Sequence, residues 1–287
     1  MVTEQKKQEL ESLLQEKIIN SADAPGGCIC HSEILTLQSG KKIFLKTHHD
    51  SRDMFAKEAN GLKELARAQA LGVPRVYFAG EDFLLLEAIM GKGQTDEAFF
   101  QDFGLRLAKM HRFTSTQFGF HEDNYIGRNP QINRPTPGDW GKFYYERRLL
   151  FQLELSQKKG LSSGELTSGI KKIAQRMPDL IGDFREAPSL LHGDLWSGNF
   201  MADGRGVPFL IDPAVYYGDR ETDLAMTRLF GGFPRAFYRA YQEEYPLRAG
   251  HEKRLPLYQL YHIMNHLNLF GGGYHSRALD LIADILS

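Results

Sequence analysis

Two short apolar runs, residues 189–192 (SLLH) and 208–212 (PFLID), bracket the stretch LLHGDLWSGNF at 190–200. Gly193 and Gly198 break a helix, and His192, Asp194 and Asn199 do not alternate as on a half-buried strand. The stretch therefore reads as a loop at the end of a strand, held between two strand-like pieces. A loop that carries ionisable and amide groups among apolar neighbours is disproportionately a functional one, because a purely structural loop can leave such groups in water.

The flanking sequence sets the architecture. Residues 5–19 place apolar side chains at 10, 13, 14 and 18, a helical spacing, and PGGCIC at 25–30 is a turn-rich connector. EILTLQ, a Ser39-Gly40 turn and KKIFLKT predict a β-hairpin; a helix follows over 53–71, stopped by Gly72 and Pro74. RVYFAG and FLLLEAI around GED predict a second hairpin, and MGKGQ at 90–94 supplies the glycines of a hinge. Beyond it, helices are expected over 95–111, 140–159, 165–176, 219–230, 235–245, 252–270 and 277–286, with a surface loop rich in Asn, Pro and Gly over 121–139. The expected fold class is α+β with two lobes. Residues 1–90 form a small antiparallel-sheet lobe with one key helix, and residues 91–287 a larger, mainly helical lobe.

With 287 residues and 42% hydrophobic content the chain can bury a large core, and a formal net charge of -1 offers no basic excess for phosphodiesters or anionic lipid. No nucleic-acid or membrane partner is expected. MVTEQKKQELES has no apolar leader region, so the expected address is the cytoplasm. The only cysteines, Cys28 and Cys30, stand too close for an unstrained disulfide, and His31, His48 and His49 miss finger-like zinc spacing.

Periodicity brings two charges inward. On helix 53–71 Glu58 falls within the apolar arc of Phe55, Leu62 and Leu65, and on KKIFLKT Lys46 shares a face with Phe44. Each needs a counter-ion, and pairing Lys46 with Glu58 satisfies both; a structural ion pair or a snorkelling lysine is the plainer alternative. The second group is Asp194, Asn199 and Asp212. Phosphoryl transfer asks for one carboxylate to orient a hydroxyl and take its proton, and for a carboxylate and an amide oxygen to hold magnesium on the phosphates. Asp194 suits the first role, Asn199 and Asp212 the second, with the metal arriving alongside ATP. His192, beside two leucines, reads as a hydrogen-bonded brace for the loop. Gly26, Gly27 and Cys28 would let backbone N–H groups approach phosphate, and the backbone of Glu87, Ala88 and Ile89 would face a purine. Asp219 and Asp223 open a helix and are read as structural caps rather than metal ligands. His262 and His266 share a helix face that, with Asn265 and Tyr261, borders an acceptor pocket or is simply packed. For Cys28 two readings stand: a redox-sensitive thiol able to link two chains, and an inert small residue in a turn.

HGDLWSGN, IDPAVYYGDRETDLAM, FGGFPRAF and YQLY resemble the fructosamine-3-kinase and ketosamine-3-kinase family, in the aminoglycoside-phosphotransferase-like branch of the protein-kinase fold. The resemblance spans nearly the whole chain. It implies Lys46 on the α and β phosphates of ATP, braced by Glu58, with Asp194 as base, Asn199 and Asp212 on magnesium, and Trp196 as a wall for the sugar. A core tryptophan is the plainer reading of Trp196. Cys30 departs from the small polar residue usual in the family's nucleotide loop, and the Asn often found after the Lys46 strand is missing. The implied reaction moves the γ-phosphoryl group of ATP to the sugar 3-hydroxyl of a ketosamine, on a small amine or on a glycated protein met as a transient substrate. The phosphorylated adduct then falls apart, which is deglycation. The alternatives are a kinase for choline, homoserine or an aminoglycoside, a catalytically silent module of the same fold, and a metal hydrolase built on His192 and the aspartates. The sequence is silent on oligomeric state.

Overall fold

The computed structural model describes residues 3–24, 30–48, 53–91 and 93–287. Helix α1 (Glu4–Leu14) is capped by the Thr3 hydroxyl, which accepts from the Lys6 N–H at 3.3 Å, and it ends at Gln15 in a left-handed conformation. The helical spacing over 5–19 overreaches here. Ile18–Asp23 is instead a strand, β1, because Ile18 joins Leu10 in the apolar layer of a sheet. Strands β2 (His31–Leu37) and β3 (Lys42–Thr47) form the expected hairpin around Ser39 and Gly40. Helix α2 (Met54–Arg67) follows, then β4 (Val76–Ala79) and β5 (Phe83–Glu87). The five strands run in the order β1-β2-β3-β5-β4, every pair antiparallel.

Strand alternation gives this sheet two apolar faces. Ile43, Leu45, Phe83 and Leu85 pack under Leu10 of α1, while Leu84, Leu86 and Phe44 pack against Phe55, Ala59 and Leu62 of α2. Lys46, in phase with Phe44, therefore points toward α2.

The remaining chain is mostly helical. Helix α3 (Glu97–His111) leads to a short hairpin of β6 (Asn124–Ile126) and β7 (Asn129–Gln131). Helix α4 (Trp140–Tyr144) continues through a π-helical turn, Tyr145–Leu150, into α5 (Phe151–Lys158), and α6 (Gly164–Ile181) follows. Four short strands come next: β8 (Ser189–Leu191), β9 (Phe200–Ala202), β10 (Pro208–Leu210) and β11 (Tyr216–Gly218). The chain closes with α7 (Glu221–Thr227), α8 (Arg235–Glu244), α9 (His251–Phe270) and α10 (Tyr274–Leu286). Among the described residues no helix is long and apolar enough to cross a membrane.

One further expectation changes. The 121–139 segment is not a mere surface loop: it forms β6 and β7 and buries Asn124, Asn129, Gln131 and Asn133. Their carboxamides are satisfied by one another, by backbone carbonyls and by the side chains of Arg148, Lys159, Tyr261 and Asn265, which a composition rule cannot foresee. The two runs flanking the polar loop are strands as expected, and each takes its own partner: β8 pairs with β11 and β10 with β9. The sheet half is tied to β10 by Gly72, whose N–H donates to the Pro208 carbonyl at 3.0 Å and whose carbonyl accepts from the Leu210 N–H at 2.8 Å.

Candidate active site

The loop after β8 is anchored from beneath. Leu190, Leu191 and Leu195 are sealed in the core, and the Asp223 carboxylate of α7 accepts from the backbone N–H groups of His192 at 2.8 Å and Gly193 at 2.9 Å. His111 approaches the same carboxylate at 3.2 Å. Asp223 thus holds the loop rather than capping its own helix, while Asp219 accepts from the Glu221 N–H at 3.0 Å and from Arg248 and Tyr258. Gly193 has φ +84°, and a Cβ there would lie 2.0 Å from the Ala214 carbonyl oxygen. Only glycine permits that approach.

His192 fastens the loop to the segment after β10 that carries Asp212. Its Nδ1 accepts from the Asp194 N–H at 3.2 Å, so Nε2 carries the proton and donates to the Ile211 carbonyl at 2.9 Å. Burial holds the imidazole pKa below its usual value, so the ring is neutral. The amide nitrogen of Asn199 donates both to the Asp194 carbonyl at 2.8 Å and to its carboxylate at 3.1 Å. With its nitrogen committed, Asn199 turns Oδ1 away as an available acceptor. Desolvation pushes the Asp194 carboxyl up to about 7, and the charges of Asp212 and Asp223 add to it against the pull of the Asn199 hydrogen bond.

Lys46 donates to Glu58 Oε1 at 2.6 Å and also to the Asp212 carboxylate. Burial alone would lower its pKa, but the carboxylates of Asp212 and Glu58 outweigh burial and keep the ammonium charged. Asp212 sits at φ +53°, a region a non-glycine residue rarely occupies and one in which strain collects at functional sites. These residues line one cleft of about 220 Å³ with Cys30, Trp196, Asn265 and His266. A carboxylate and an amide oxygen facing a cleft beside a buried ammonium are hard oxygen donors next to a cation, a set that suits magnesium on a polyphosphate. Among the described residues no trio of His, Cys, Asp or Glu stands at metal-binding distances. Burial pushes the Cys30 thiol pKa up, which keeps it protonated.

Trp196 is 36% exposed and meets Phe230 edge-on at 6.1 Å, so it is a cleft wall and not a core residue. A Cβ at Gly198 would strike its ring at 2.4 Å. His266 lies 4.9 Å from Phe230 and 5.6 Å from Phe270, and its Nδ1 faces the His262 carbonyl at 2.8 Å. Glu87 and Ala88 lie apart from this cleft, in a shallow hollow with Lys41, Lys42 and Tyr77, and the Glu87 N–H is taken by the Arg75 carbonyl at 2.8 Å. Ile89 is likewise outside the cleft lining. Gly26, Gly27 and Cys28 lie outside the described residues.

The model of the fructosamine kinase family matches residues 1–287, the full length of the sequence. The chain belongs to the fructosamine kinase family. It is 41% identical over 268 residues to the "Probable ketoamine kinase" of Synechocystis sp., covering 91% of this chain and 88% of that protein. It is 40% identical over 270 residues to the chloroplastic protein-ribulosamine 3-kinase of Arabidopsis thaliana, covering 91% and 81%. A crystal structure from Thermobifida fusca, assigned as a fructosamine-3-kinase, superposes with a TM-score of 0.88 at 33% identity, covering 98% of each chain. An ADP-bound aminoglycoside phosphotransferase, 14% identical and covering 99% of each chain, shares the fold with a TM-score of 0.67. This family member is an α+β protein with the two-lobed, protein-kinase-like fold.

Sequence reasoning missed the carboxamides that shape the cleft of this fructosamine kinase. Asn124 Nδ2 donates to the Val215 carbonyl at 2.8 Å and Gln131 Nε2 to the Ala214 carbonyl at 2.9 Å, which fixes the backbone just past Asp212. The density of Asn and Gln over 121–139 was the one available signal, and it also marks an ordinary loop.

Proposed function

We propose that the cleft transfers the γ-phosphoryl group of ATP to the 3-hydroxyl of a ketosamine, a ketose joined through C1 to an amine. The observation that carries the reading is the convergence of Lys46, Glu58, Asp194, Asn199 and Asp212 on one cleft. Magnesium, bound with ATP, supplies charge neutralisation on the transferring phosphoryl group. Asp212 and Asn199 Oδ1 would hold it. Lys46 meets the α and β phosphates, and Glu58 keeps its side chain in place when Asp212 turns to the metal. Asp194 accepts a hydrogen bond from the 3-hydroxyl, aims it at the phosphorus and takes its proton.

Residues 1–90 then act as the nucleotide lobe, through Lys46 and Glu58. Residues 91–287 carry the chemistry and the acceptor. Trp196 offers its face to the apolar side of the sugar ring, and His266 borders the same space. Small ketosamines and glycated proteins are the substrate class. Once C3 bears phosphate, enolisation toward C1 lets the amine nitrogen expel it, and water on the resulting iminium releases the amine.

A coupled ATPase assay over fructosamines, ribulosamines, choline and an aminoglycoside tests the proposal. We expect turnover with ketosamines alone, and Asp194→Asn to lower kcat by ~10²–10⁴-fold. Turnover confined to choline or the aminoglycoside would withdraw it.

A further inference from the structure

Asn265, on α9, is 2% exposed, yet it lines the cleft with Asp194 and Trp196. Its side-chain oxygen accepts from Asn129 Nδ2 at 2.8 Å and from Gln152 Nε2 at 3.3 Å, and Asn129 Nδ2 also reaches the Asn265 carbonyl at 3.3 Å. Among the described residues its Nδ2 meets no protein acceptor. An amide can be turned end for end, so its direction rests on what its partners are able to do.

Here one partner has no choice. Lys159, at the end of α5, donates to Asn129 Oδ1 at 3.3 Å and to the Asn268 carbonyl at 2.5 Å, and an ammonium can only donate. Asn129 must therefore present its oxygen to Lys159 and its nitrogen to Asn265, and Asn265 must present its oxygen to Asn129 and its nitrogen to the cleft. Gln152 follows the same direction, because its Oε1 accepts from Asn268 Nδ2 at 2.7 Å, leaving Nε2 to donate.

We infer that Asn265 is a specificity-determining donor for the acceptor, its Nδ2–H aimed at a sugar oxygen beside the reacting hydroxyl, with Lys159 and Asn129 as the positioning residues that fix its direction. The inference rests on the ketosamine reading above. A buried donor left without a partner costs free energy, so an acceptor that supplies an oxygen there is favoured over one that does not.

The test is steady-state kinetics with a ketosamine of lysine, varying acceptor and ATP separately. Asn265→Asp keeps the shape and removes the donor; kcat/KM for the acceptor should fall ~10–100-fold, with the KM for ATP within ~2-fold of wild type. Asn129→Asp, which does not line the cleft, keeps the Lys159 contact but cannot donate. It should turn Asn265 round and lower acceptor kcat/KM at least ~5-fold by the same loss. If Asn265→Asp does not fold, Asn129→Asp and Lys159→Met carry the test, since neither side chain lines the cleft. Wild-type enzyme inactive on every ketosamine would remove the functional reading and this inference with it. Active wild type, with acceptor kcat/KM unchanged in Asn265→Asp or in the folded Asn129 and Lys159 variants, overturns the inference alone.

Discussion

Lys46 lies between two carboxylates, and its removal would leave Glu58 and Asp212 facing one another without a counter-ion. Breaking a buried pair from one side costs about 3–5 kcal/mol, and Asp212, with a side chain 34% exposed, brings the expectation to the lower end. We expect Lys46→Met to unfold at lower urea and to lose ~10²-fold or more in kcat/KM for ATP, the order seen when one charge stabiliser of a transition state is removed. Full ATP turnover by the folded variant would remove Lys46 from the phosphate site. At this scale the sequence was informative: a lysine in phase with Phe44 and a glutamate in phase with Phe55 and Leu62 each had to find a partner. It did not show that Lys46 would also reach Asp212, because that contact joins positions 166 residues apart.

Among the elements, β6 and β7 with the residues before them form a clamp on α2. Glu122 accepts from Lys57 at 2.6 Å and from Asn60 at 2.9 Å, and Tyr125 donates to Asp53 at 2.6 Å. The same segment holds the backbone past Asp212 through Asn124 and Gln131. Because α2 carries Glu58, loosening the clamp should act on the nucleotide side first. Glu122→Ala is expected to raise the KM for ATP ~3–10-fold, the effect of losing a charge-assisted bond at a part-exposed site, with the acceptor KM unchanged. Glu122→Gln, whose single oxygen can accept from only one of Lys57 and Asn60, should recover part of the loss. Equal effects on both substrates would show a general loss of stability instead.

Over the whole molecule, three imidazoles among the described residues are buried neutral: His111, His192 and His262, each with its pKa depressed first by desolvation. His262 falls to about 3, helped by His266 and Arg148, and its Nδ1 has no hydrogen-bond partner. The unfolded chain takes up its proton near 6.5 and the folded one far lower. The stability held in the neutral His262 ring is thus complete above 6.5 and is lost as pH falls toward 3, at about 1.4 kcal/mol per pH unit. Urea unfolding of wild type and His262→Phe between pH 7.5 and 5 should show the variant losing about 2 kcal/mol less than wild type. Parallel curves would mean that His262 is not buried neutral.

What the sequence alone determined was everything written in short-range periodicity and chain sterics: the hairpins, α2 with Glu58 turned inward, and the glycine-hinged loop that carries His192, Asp194 and Asn199. Charge made those positions legible, since an ion on an apolar face demands a partner. The early end of the first helix, the pairing of the short strands around the loop and the burial of 121–139 were decided by tertiary structure. A neutral carboxamide is at home in water or in a core, and only its partners settle which. For Asn129 and Asn265 those partners lie 136 residues apart, so the direction of the amide that faces the cleft exists only once the chain has closed on itself.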